Sequence, residues 1–105
     1  MKRITADMLS GACLAQLNVF KRRWPKGAAV NATNAKRAGD LGLCPIWTAE
    51  KLLRRNALKQ FWAKRKPIND EYLAKRNPID EDHYGAYRAK CWKVLWPILA
   101  KEPKP

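Results

Sequence analysis

The sequence predicts a small all-α fold, a bundle of four to five helices whose C-terminal part is a proline-bent helical repeat. Three observations carry this. Apolar residues recur at steps of three and four through most of the chain. Helix start and stop residues punctuate those stretches. Residues 61–92 also hold two copies of one pattern, Ala63-Lys64-Arg65-Lys66-Pro67-Ile68 and Ala74-Lys75-Arg76-Asn77-Pro78-Ile79, eleven residues apart. That offset is close to three helical turns. At 105 residues the chain reads as one domain over 1–105. Within it lie a basic head (1–60), a helical repeat arm (61–96) and a polar tail (97–105).

The first helix is expected over residues 5–24. Thr5 is a candidate N-cap and Asp7 suits the positive end of the helix dipole. Leu9, Cys13, Leu17, Phe20 and Trp24 form one apolar stripe. Gly11 inside it suggests a close helix contact. Pro25 and Gly27 stop the helix. A second, short helix spans 32–41, capped by Asn31, with Ala35, Ala38 and Leu41 as a narrow face that allows close packing. Gly42 followed by Leu43 fits a left-handed terminus with an apolar plug. Two helices in succession raise a helix-turn-helix, but the stretch from Trp24 to Asn31 is longer than its usual tight turn.

Thr48 is the expected cap of a third helix running to about Arg65, with Trp47 and Leu52 as a hydrophobic staple. Leu53, Ala57 and Phe61 continue its apolar face. A short helix at 67–75 and a longer one at 78–96 follow, because proline is tolerated at a first helical position and disruptive inside a helix. Asn77-Pro78 with Asp80, Glu81 and Asp82 is the better start. Lys64-Arg65 and Lys75-Arg76 ahead of acidic starts also complement consecutive helix dipoles, which explains the alternation without any function. In the last helix Tyr84, Tyr87, Cys91, Val94 and Ile98, joined by Trp92, Trp96 and Leu99, make a face wide enough for a central core element. Pro97 is expected to bend or end it, leaving an extended tail.

Charge narrows the function. Lys and Arg total 22 against 9 Asp and Glu, a net charge of +13. The head carries 12 basic and 3 acidic residues, net +9. Such a field favours polyanions. The third helix concentrates it: Lys51, Arg54, Arg55, Lys59, Lys64 and Arg65 face only Glu50, with Arg22 and Arg23 on the first helix. A solvated basic face is the competing reading. Among the five tryptophans, Trp62 beside Lys64-Arg65-Lys66 is expected to be partly exposed, where it suits base stacking or a protein interface.

Catalysis finds little footing. His83 is the single histidine and Ser10 the single serine, and no nucleophile–base or acid–base pair is suggested. A non-enzyme without catalytic residues or cofactor is therefore expected. Cys13, Cys44 and Cys91 lack the paired spacing of zinc ligands, so no metal is expected and they read as buried small hydrophobes. Three unpaired cysteines form no disulfide framework and suit a reducing cytosol. No stretch approaches the ~18 apolar residues of a membrane helix, so no membrane partner is expected.

The ordered set Phe20, Trp24-Pro25-Lys26-Gly27, Val30, Asn31, Asn34-Ala35, Ala38, Leu41-Gly42-Leu43, Trp47 and Leu52-Leu53 is followed by proline-containing eleven-residue units with recurring Ala and Tyr, from Ala63 to Tyr84. In this the chain resembles a group of small phage and prophage accessory open reading frames, over most of its length. Its tail is shorter and more basic than that group's. The resemblance implies a setting, the host bacterial cytoplasm, and brings no activity or site residue with it.

The leading expectation is non-enzymatic binding of nucleic acid or a host nucleic-acid complex. Phosphates would be met by Arg22, Arg23, Lys51, Arg54, Arg55, Lys59, Lys64 and Arg65, with Trp62 beside them. The alternative is an anti-defence inhibitor, of the anti-CRISPR or anti-restriction kind, seated in an acidic DNA-binding groove of a host protein. Oligomeric state stays open.

Overall fold

The computed structural model describes residues 1–75 and 81–103, with side chains for all of these except 75 and 81–83. In chain order it has β1 (Arg3–Ile4), a 3-10 turn (Ala6–Leu9), α1 (Leu14–Arg23), β2 (Ala28–Ala29), α2 (Ala32–Asp40), α3 (Pro45–Leu52), α4 (Arg55–Lys75) and α5 (Glu81–Lys101). The fold is the expected small all-α bundle. Among the described residues its one sheet is the antiparallel pair β1–β2, with Arg3 opposite Ala29 and Ile4 opposite Ala28.

The expected first helix is interrupted. Gly11 takes φ +96°, which ends the 3-10 turn, and α1 starts only at Leu14. A Cβ on Gly11 would meet nothing within 4 Å, so the glycine serves a left-handed turn and no close helix contact. Cys13 thereby leaves the apolar stripe and is exposed, whereas Leu9 and Phe20 stay buried. The long connection after α1 is pinned as β2 against β1. Gly27 makes this possible: its φ is +92°, and a Cβ there would lie 2.9 Å from the Ile4 carbonyl oxygen.

α2 forms as expected. The Asn31 side chain accepts from the Asn34 N–H at 2.8 Å. At the other end the Gly42 N–H donates to Gly39 and the Leu43 N–H to Ala38, with Gly42 at φ +80° and Leu43 buried. That double bond pattern satisfies the last carbonyls of the helix.

The third helix is divided. Pro45 sits in its first turn, and Cys44 is its cap, with Sγ accepting from the Trp47 N–H at 3.4 Å. Thr48 is inside α3 and its hydroxyl donates to the Cys44 carbonyl at 2.8 Å. Trp47 and Leu52 therefore lie within one helix and form no staple. α3 ends at Leu53, which is extended (φ −88°, ψ 138°), and α4 begins two residues later.

Two of the prolines expected to bound helices lie inside them instead, Pro67 in α4 and Pro97 in α5. A helical proline removes one hydrogen bond and costs roughly 3 kcal/mol. Here the carbonyls four residues earlier belong to Ala63 and Lys93, both exposed, so water can reach them. Packing on either side of each proline holds the helix through it. The start of the second repeat, Asn77-Pro78, lies outside the described residues.

α5 is the central element. It packs against α2, α3 and α4. Cys91, Leu95 and Leu99 on α5 and Phe61 on α4 are the largest fully buried side chains. α2 meets α5 through Ala35, Ala38 and Gly39, all buried; a Cβ on Gly39 would stand 3.4 Å from the Ala89 Cα. The Trp92 indole N–H donates to the Leu43 carbonyl at 2.9 Å and ties the α2–α3 connection to this helix. The expected extended tail is not seen at 97–102. Glu102 is buried, its carboxylate accepting from the Arg54 backbone N–H (3.3 Å) and Nε (3.2 Å), and its carbonyl from the Met1 amino group.

Gly27→Ala is expected to lower the unfolding free energy by about 2–4 kcal/mol, combining left-handed strain with overpacking. Gly11→Ala carries strain alone and should cost about 1–2 kcal/mol. Urea titration of the two variants checks the order.

Candidate nucleic-acid interface

The division between α3 and α4 places the basic residues. Lys51 ends α3, Arg54 occupies the junction, and Arg55 opens α4. Successive residues of a helix turn by about 100°. Ala57, Phe61, Arg65, Ile68 and Tyr72 therefore share the face of α4 turned toward α5, and none of these is exposed. Arg55, Lys59 and Lys66 line up on the opposite, exposed face, with Trp62 on their flank. Lys64 is exposed on the other flank of α4, away from that row.

Arg54 and Arg65 have specific partners. Arg54 is paired with Glu102 at side-chain exposures of 73% and 9%. The buried carboxylate, with the main-chain N–H it also accepts, caps the start of α4, and Arg54 neutralises it. The Arg65 Nε donates to the Tyr87 hydroxyl at 2.9 Å, and its guanidinium lies 4.7 Å from the Trp62 ring centroid. Trp62 is half-buried, as expected, but so are Trp24, Trp47 and Trp96.

Arg22 and Arg23 lie elsewhere, in the exposed last turn of α1 beside Lys21, and α1 has no substantial packing with α4. The Arg23 guanidinium is 5.7 Å from the Trp24 ring. Arg3 joins this second basic region, its Nη1 donating to the carbonyls of Lys26 (3.2 Å) and Gly27 (2.9 Å).

Two residues outside the expected set belong with the α4 surface. Lys66 extends the Arg55–Lys59 row and bonds the Asp70 carboxylate at 3.4 Å, an exposed i,i+4 pair worth a few tenths of a kcal/mol. Its seven-residue step from Lys59 is visible in the sequence, but only a helix continuing through Pro67 gives that step meaning. Arg88 of α5 lies 5.2 Å from the Tyr84 ring and donates from Nε to the Gly39 carbonyl at 3.2 Å. Its position depends on α2 packing against α5, which no local pattern reveals.

Between α4 and α5 the Tyr87 hydroxyl accepts from Arg65 and donates to Asn69 Oδ1 at 3.3 Å. Burial raises the Tyr87 phenol above its ordinary 10.0, opposed by the hydrogen bond from Arg65. Burial likewise raises the Cys91 thiol above 9.0, opposed by its hydrogen bond with Tyr87. Neither is a ready nucleophile at neutral pH. Compared with protein-family models, curated proteins and solved structures, the chain matches none.

Both raised groups hold their protons longer folded than unfolded. Their contribution to stability is complete below about pH 9 and is lost as pH rises through the folded values. The unfolding free energy should accordingly fall from about pH 9 upward. The double variant Tyr87→Phe/Cys91→Ala should show a shallower alkaline decline in urea titrations.

Proposed function

We propose that the protein is a non-enzymatic binder of nucleic acid, which it contacts through the exposed face of α4. Arg55, Lys59 and Lys66 meet phosphates there, Lys51 and the exposed guanidinium of Arg54 extend the contact, and Trp62 borders it. Arg22 and Arg23 belong to a second basic region at the end of α1.

The observation that supports this most is the charge at the start of α4. The N-terminal end of a helix carries partial positive charge and favours acidic residues. The first turn of α4 has none; Arg55 opens it and Arg54 stands just before it. Arg54 there neutralises the buried Glu102 carboxylate, whereas Arg55 pairs with no carboxylate among the described residues. A phosphate backbone gives the arrangement a purpose, since each neutralised phosphate releases a counterion and adds affinity.

Fluorescence anisotropy of labelled DNA and RNA over ~50 to ~200 mM salt tests the proposal. Affinity should drop steeply with salt. The triple reversal Arg55→Glu/Lys59→Glu/Lys66→Glu should abolish most binding and flatten the salt slope by about 2–3. Lys64→Glu, on the other flank, should have a much smaller effect. Salt-insensitive binding, or binding indifferent to the triple reversal, contradicts the assignment. No binding by the folded protein would turn the same basic face toward an acidic protein groove.

A further inference from the structure

We infer that the Trp62 side of the α4–α5 seam is a stacking platform for single-stranded nucleic acid. This rests on the reading above and narrows it from nucleic acid in general to unpaired bases.

The seam carries a continuous run of rings and guanidinium groups. Arg65 covers Trp62 at 4.7 Å and is anchored by the Tyr87 hydroxyl at 2.9 Å. The Tyr87 ring lies 4.6 Å from that of Tyr72. Tyr84 is 6.0 Å from both Tyr72 and Tyr87, and Arg88 covers Tyr84 at 5.2 Å. Tyr87 is buried and holds the run together, while Tyr84 is 44% exposed and Trp62 is half-buried. The members accessible to a ligand are thus Trp62, Arg65, Tyr84 and Arg88. Both arginines are held in place by hydrogen bonds, so little side-chain entropy remains to be lost on binding.

Charge selects the occupant. Among the described residues no carboxylate pairs with Arg65 or Arg88. The Arg55–Lys59–Lys66 row adjoins Trp62. The two acidic residues on this part of α4 are both paired with lysine: Asp70 bonds Lys66 at 3.4 Å on the outer row, and Glu71, half a turn around the helix from Trp62, bonds Lys90 at 3.3 Å on the far edge of the seam. Accessible rings and guanidinium groups that pair with no carboxylate among the described residues, beside a basic row, suit a polyanion that offers flat π faces. A duplex hides those faces within its own stack, whereas a single strand presents them to aromatic side chains and guanidinium planes.

The test compares labelled oligo-dT and oligo-rU of about 12 nucleotides with a duplex of the same length in anisotropy titrations at about 100 mM salt. The single strands should bind more tightly than the duplex. Trp62→Ala and Tyr84→Ala should each weaken single-strand binding by about fivefold or more, and Tyr84→Ala, outside the basic row, should leave duplex binding unchanged. Trp62→Phe should retain most of the affinity. Tyr84, being exposed, keeps the test decisive if Trp62→Ala does not fold. A duplex bound as tightly as the single strands overturns the inference, as does single-strand binding unaffected by either alanine variant. Either result leaves the electrostatic reading of α4 standing. If neither form binds, both fall.

Discussion

Burial of Cys91, Leu95 and Leu99 along α5 is the condition on which the other elements depend. None of α2, α3 and α4 can hide its apolar side alone. α2 offers a narrow strip of alanine and glycine, α3 is two turns long, and α4 has a row of cations down its outer face. Each is satisfied by meeting α5, on a different side. The close approach at Gly39 and the Trp92–Leu43 hydrogen bond set how α2 and the start of α3 sit on this helix. The seam with α4 is sealed differently, by Phe61 at one end and a hydrogen-bonded tyrosine cluster at the other.

The end of α5 also solves a problem at the start of α4. A helix that opens on Arg55, directly after Arg54, has no acidic residue in its first turn to partner its first N–H groups. Glu102 supplies one from 48 residues away, bonding the Arg54 main chain and side chain together. A cap of this kind holds the N-terminus of α4 against α5 while leaving Arg55 and Lys59 facing outward. The proposed binding face thus rests on a buried carboxylate.

The candidate site was only partly legible in the sequence. The concentration of basic residues between Lys51 and Arg65, and the presence of Trp62 among them, is a matter of composition and needs no structure. How those residues divide is a matter of helical phase. Phase was lost at two places: at Leu53, where an extended residue splits the expected third helix, and at Pro67, where a helix expected to end continues. The first displaced Arg54 into a capping junction. The second brought Lys66 into line with Arg55 and Lys59. Arg88 and the tyrosine cluster needed the α4–α5 and α2–α5 contacts before they had any meaning.

The sequence by itself determined the helical class, the capped and glycine-terminated α2, the role of the last helix as core, and the strong positive charge. These follow from local rules, apolar periodicity, side-chain capping and the counting of charges, and local rules act on neighbours in the chain. Only the tertiary structure decided that Pro67 and Pro97 lie inside helices, that residues 28–29 pair with 3–4, and that Glu102 caps α4. In each case a local preference worth a few kcal/mol at most was set against contacts from residues distant in sequence. Packing on α5 outweighed it for the prolines, and the left-handed freedom of Gly27 let the strand pair close.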